Sequence, residues 1–148
     1  MAKVMIRNAI MEDGETFVRL ILQLGYAATR LEMQRRLETI RVNPEQQQIL
    51  VALQADQVIG LIHLQRRLSL ISDCSVEIVS LVVAETFRSQ GVGKELLDAA
   101  EEWAHGQNIT AVMLYSNCKR ELAHRFYYRN GYGKIKDSIM LQKELASK

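Results

Sequence analysis

With only two cysteines, Cys74 and Cys118, the chain has no means of building a disulfide framework, and neither stands in a C-x-x-C or cysteine–histidine spacing. Its three histidines, His63, His105 and His124, form no H-E-x-x-H pattern, so no metal site is expected. No apolar run is long enough to cross a bilayer, and the N-terminus lacks the apolar region of a signal peptide. A reduced, cytoplasmic setting away from the membrane is therefore expected. Charge of one sign is scarce too. The net charge is +2, and the pairs Arg35-Arg36 and Arg66-Arg67 read as solvated faces, so nucleic acid is not an expected partner. The single proline, Pro44, marks one helix end.

What remains is ordinary for one soluble domain spanning residues 1–148, with 48% apolar and 24% charged residues. The informative stretch begins with the apolar, β-branched run at 78–83 and passes through Arg88-Ser89-Gln90-Gly91-Val92-Gly93. A helical pattern follows, with Val92, Leu96, Ala99, Ala100 and Trp103 on one side and acidic residues on the other. Gly106 is its expected stop. Backbone N–H groups opening a helix lack intrahelical partners, and the helix dipole puts positive charge there. A phosphate is one natural occupant, with Arg88 and Lys94 adding charge. A turn that uses glycine only to change direction is the other reading. The pattern is neither a G-x-x-x-x-G-K-[ST] loop nor a G-x-G-x-x-G fingerprint, since Glu95 follows Lys94 and Leu96 stands at the third glycine position.

Around this unit the order reads β-α-α-β-β-β-α-β-α-β. A strand is expected at 4–9, a helix from Glu15 closed by Gly25, and a second helix capped by Thr29. Runs at 48–53 and 58–64 form a hairpin turning at Asp56, with Gly60 marking a bulge or close approach. The β-rich run at 110–115 follows a helix and makes a parallel pair with 76–83. Asn117 is placed as the cap of a last helix in which Leu122, Ala123, Phe126 and Tyr127 share a face, with Gly131 closing it. A final strand is expected within 134–143. The class is α/β (α+β by some conventions), a mixed six- to seven-stranded sheet flanked by about four helices.

Three blocks in this order resemble the GNAT superfamily of acetyl-CoA-dependent N-acetyltransferases. They are the strand at 76–83, the Arg88-x-x-Gly91-x-Gly93 loop, and Asn117 followed by Ala123-x-x-Phe126-Tyr127 and Gly131-Tyr132. Ser89 replaces a frequent glycine and Glu85 a frequent proline. The resemblance implies that acetyl-CoA lies with its pyrophosphate on Arg88, Ser89, Gln90, Gly91, Val92, Gly93 and Lys94. Its pantetheine would pair with the backbone of Leu81, Val82 and Val83 where two strands splay, with Asn117, Ala123 and Phe126 completing the site. Tyr127 would be the general acid, or simply pack. Glu77 would be a base acting through water, or sit on a solvated strand face. Asn117 would bond pantetheine, or cap the helix. Tyr26 and Glu32 would contact the acceptor, a primary amine of a small molecule or protein. The acetyl group would pass directly, without an acyl-enzyme. A CoA-binding sensor or partner-binding module without turnover is the alternative, and a homodimer is compatible with the family.

Overall fold

The computed structural model describes residues 3–148, which fall into two compact units divided between Tyr115 and Ser116. In the first unit β1 (Met5–Asn8) leads through a 3-10 turn into α1 (Gly14–Gln23) and α2 (Arg30–Arg41). Strands β2 (Gln47–Gln54), β3 (Gln57–Arg67) and β4 (Ser75–Val83) follow, then α3 (Val92–Gly106) and β5 (Val112–Leu114). Five strands stand in chain order; β1 to β4 pair antiparallel and β5 joins β4 in parallel. The second unit holds α4 (Glu121–Arg129). The class expected from sequence is the one found. No helix among the described residues is long and apolar enough to cross a membrane.

Local chemistry explains the elements. Thr29 and Glu32 make a reciprocal cap on α2, with Thr29 Oγ1 accepting from the Glu32 N–H at 3.1 Å and Glu32 Oε1 from the Thr29 N–H at 2.9 Å. α1 ends in paired bonds from Gly25 N–H to Leu22 O and Tyr26 N–H to Ile21 O, which require the left-handed Gly25 (φ +94°). The β2–β3 hairpin turns on Ala55 and Asp56, both at positive φ, the geometry that matches the twist of the flanking strands. A register shift near Gly60 bears out the expected irregularity. A Cβ there would meet Val82 O at 3.1 Å and Leu96 Cδ1 at 3.2 Å, so α3 lies close against the sheet.

Strand alternation divides the interior. Ile49, Val51, Leu61 and Val82 pack with Phe17, Leu20, Met33 and Leu37 beneath α1 and α2. The intervening residues Leu50, Ala52, Ile62, Leu64, Val76 and Ile78 are also buried and face the other way, toward the Leu96, Leu97 and Ala100 side of α3. At the β1 edge, buried Asp13 accepts two bonds from Arg7, at 2.8 and 3.0 Å, and one from the Ile10 N–H at 2.9 Å. Burial pushes its carboxyl up, but these bonds and the Arg7 charge outweigh burial and hold it below its usual range.

Three expectations need correction. The sheet has five strands among the described residues, not six or seven: the segment 134–143 takes no strand, and its side chains are exposed. An apolar pattern alone does not make a strand, because strand backbone must find a partner. Asn117 does not cap α4, which starts at Glu121; its Oδ1 instead accepts from the Lys119 N–H at 2.9 Å, closing a side-chain turn ahead of the helix. Leu122, expected on the shared face of that helix, is exposed. α3 does stop at Gly106, as expected, and the left-handed backbone that follows falls on Asn108 (φ +58°), whose short polar side chain tolerates that region.

Candidate active site

β4 organises the first unit's site. It pairs with β3 along nearly its whole length, from Ser75 opposite Arg67 to Val83 opposite Gly60. With β5 it pairs only at Val76–Val112, Glu77–Met113 and Ile78–Leu114. From residue 79 onward that edge of β4 has no β5 partner, so the two strands part at Val79. An extra residue there also shifts the β3–β4 register, since His63 opposes Ser80 and Leu64 opposes Ile78. The free edge carries the backbone of Leu81, Val82 and Val83, and only Val82 among these side chains is buried.

The strand ends at a 3-10 turn (Glu85–Phe87), after which Arg88 folds back. Its guanidinium donates to Val83 O and to Gln23 Oε1, both at 3.3 Å, tying the loop to β4 and α1. Ser89 (φ +62°) and Gly91 (φ +85°) both take left-handed backbone, and Gln90 Nε2 donates to Thr86 O. Ser89 holds that conformation at some strain, because serine has a Cβ where glycine has none. Gly91 caps α3, and a Cβ there would meet nothing within 4 Å, so the approach to the first N–H groups of the helix is open. Those of Val92, Gly93 and Lys94 precede the first intrahelical bond, Glu95 N–H to Gly91 O. The Lys94 ammonium is held by Asp98 at 2.8 Å, which raises its pKa. The donor set suits a multiply charged anion such as a pyrophosphate.

Just below the fork lies a polar patch. Cross-strand partners point the same way, which puts Gln47, His63, Gln65, Arg67, Glu77, Ser80 and Met113 on the α1–α2 side of the sheet. His63 and Gln47 are hydrogen-bonded at 2.8 Å, and burial lowers the pKa of the imidazole, favouring its neutral form. Glu77 is half-buried, opposite Gln65 on one side and Met113 on the other. Arg67 donates to Tyr115 Oη at 2.9 Å. None of His63, Arg67 and Tyr115 follows from sequence reasoning. The signal was the alternation in His63-Leu64-Gln65-Arg66-Arg67, which sends Arg66 and Arg67 to opposite faces.

The other expected residues lie apart from this patch in the chain. Tyr26 is 67% exposed just after α1, open to solvent as a wall residue would be. The Glu32 carboxylate is committed to the α2 cap, and the Thr29 bonds hold it below its usual range. In the second unit, Ala123, Phe126 and Tyr127 are half-buried. Tyr127 makes edge contacts with Phe126 and Tyr132 at 5.2 and 5.7 Å. Burial raises the pKa of its phenol, against a smaller opposing effect of Arg120, so it is protonated at neutral pH. α4 ends in the paired bonds Gly131 N–H to Tyr128 O and Tyr132 N–H to Tyr127 O, with Gly131 at φ +89°.

Comparison with known proteins supplies the family to which this arrangement belongs. Residues 14–132 match the model of the acetyltransferase (GNAT) family, and the chain belongs to that family. It is 34% identical over 133 residues to aminoalkylphosphonate N-acetyltransferase of Salmonella typhimurium, covering 86% of this chain and 83% of that one. A GNAT family acetyltransferase of Staphylococcus aureus superposes with a TM-score of 0.79 at 24% identity, over 97% of this chain and 100% of the other. An aminoglycoside N-acetyltransferase, AAC(6')-Iy in complex with CoA, gives 0.87 at 17% identity, over 98% and 97%. At such identities these structures speak for the fold alone. The protein is thus an acetyl-CoA-dependent N-acetyltransferase.

Proposed function

We propose that the protein transfers the acetyl group of acetyl-CoA directly to a small primary amine, within one ternary complex and without an acyl-enzyme. The observation that carries this is the β4–β5 fork set beside the open Gly91 helix cap. The N–H groups from Arg88 to Lys94 would hold the pyrophosphate, and the free edge at Leu81, Val82 and Val83 would pair with the pantetheine amides. Asn117, Ala123 and Phe126 are assigned to the same coenzyme, and residues 1–148 to a single catalytic domain, which a family match from 14 to 132 supports. Acetyl-CoA supplies an activated thioester.

The chain's own groups do the rest. A β4 N–H polarises the thioester carbonyl and stabilises the charge that develops on its oxygen. Glu77 receives the amine proton through a water, leaving the nitrogen lone pair free. Tyr127, kept protonated by burial, gives its proton to the departing sulfur. Tyr26 and Glu32 are assigned to the acceptor wall, Glu32 in addition to its capping bond. The relative's name makes aminoalkylphosphonates the first acceptors to test.

The test combines calorimetric titration with acetyl-CoA and a free-thiol assay across an amine panel. Binding followed by amine-dependent CoA release is the expected result. Binding with no release for any amine would mark a sensor module, and absence of binding would overturn the reading.

A further inference from the structure

Arg67 makes no ion pair among the described residues, although its hydrogen bond to Tyr115 and, to a lesser degree, the charge of Glu77 raise its pKa. Among the described residues the ion pairs are Arg7–Asp13, Arg36–Glu32, Lys94–Asp98 and Lys134–Asp137, and Arg67 belongs to none of them. Instead its guanidinium reaches across β4 to β5, with Nη1 2.9 Å from Tyr115 Oη and 3.8 Å from Met113 Sδ. The Tyr115 oxygen accepts from Arg67, which leaves its own O–H free to donate. The other guanidinium N–H groups make no further hydrogen bond among the described residues, so the two side chains together present several donors.

The position is as informative as the chemistry. Tyr115 directly follows Leu114, the last β5 residue paired with β4, so the donors stand at the mouth of the fork. Glu77 is on the same face, and its register partner Gln65 lies two residues before Arg67. The Cα atoms of Gln65 and Arg67 stand roughly 7 Å apart along the strand, and the Arg67 guanidinium reaches back to Met113, the register partner of Glu77. A carboxylate able to take an ammonium and a guanidinium able to take an anion thus share one face of the sheet.

We infer that Arg67 and the Tyr115 hydroxyl form an anion anchor for the acceptor, selecting short primary amines that carry a phosphonate or carboxylate at the far end. This rests on the acetyltransferase reading above and adds to it the residues that choose the acceptor. Arg67 suits the task because a planar guanidinium can give two parallel bonds to one oxyanion, which an ammonium cannot.

The experiment titrates the enzyme with 2-aminoethylphosphonate, β-alanine and ethanolamine by calorimetry without acetyl-CoA, then measures kcat/KM for the same three. The wild type should bind at least one of the two anionic amines more tightly than ethanolamine, and the two anionic arms separate phosphonate from carboxylate. Arg67→Gln should weaken the preferred anionic ligand by about 10–100-fold, and collapse its kcat/KM advantage over ethanolamine. Arg67→Lys should fall between, and Tyr115→Phe, which keeps the ring and its packing, should lose a few-fold. No anionic preference in the wild type, or equal binding by Arg67→Gln, overturns the anchor. Because binding is read without the coenzyme, that failure is distinct from a failure of acetyl transfer.

Discussion

The two halves of β4 are one strand under two regimes. The half at 75–78 has β3 on one side and, from Val76 on, β5 on the other, buries Val76 and Ile78 completely or nearly so, and holds Glu77 in fixed register. The half at 79–83 keeps β3 but loses β5, carries a bulge at its start, and runs into a loop with left-handed backbone at Ser89 and Gly91. The first half is a frame. The second leaves backbone donors and acceptors unspent, and such groups bond to whatever chain is laid beside them. The coenzyme site proposed above is thus built from what the sheet declines to pair.

The sharpest way to break that contrast is at the loop. Gly91→Glu should lower acetyl-CoA affinity by more than about 100-fold in a calorimetric titration, since it sets a carboxylate against a phosphate site. Gly91→Asn tolerates the same left-handed backbone and should retain most of the affinity. Equal losses in both would point to strain rather than charge. Next in size, Tyr127→Phe should cut kcat by about 10–1000-fold with little change in coenzyme affinity, measured by thiol release. An unchanged rate would reduce Tyr127 to its edge contacts with Phe126 and Tyr132.

Changes outside the fork should affect stability and leave coenzyme binding intact. Asp13→Asn leaves Arg7 facing a neutral partner at the edge of the core. It should cost about 2–4 kcal/mol in urea unfolding, less than a fully buried pair because the Arg7 side chain is 35% exposed. The pH dependence has a definite sign. His63 has a lowered folded pKa, so as pH falls through its ordinary value near 6.5 the unfolded chain gains a proton that the folded chain resists, and stability drops. Asp13, with a folded pKa below its unfolded value, adds a further loss at lower pH, as the pH falls from its unfolded value toward the folded one. His63→Gln should flatten the upper part of that decline in a thermal-melt series. Smallest, Ala55→Asn should raise stability by about 0.5–1 kcal/mol, because asparagine accepts the positive φ that alanine resists.

What could be read from the sequence was whatever is decided within a few residues. Thr29 and Glu32 announce a cap, Asp56 a turn, and Gly91 a helix start, each by chemistry local to its own segment. The anchor at Arg67 was invisible because its partner Tyr115 lies 48 residues away and meets it only through the order of three strands. The absent final strand failed for the opposite reason. Residues 134–143 carry apolar Ile135, Ile139, Met140 and Leu141, yet pairing depends on an edge that no single segment encodes. Asn117 shows how close the two cases lie: it does bond a nearby N–H, but as a turn four residues short of the helix.

The central claim, that unpaired β4 backbone and the Gly91 cap together hold the coenzyme, is tested most directly by amide hydrogen exchange with and without CoA. Protection gained at residues 79–83 and 90–94, with no change at 75–78, is the predicted result. Protection confined to other segments, or equal along both halves of β4, would contradict it.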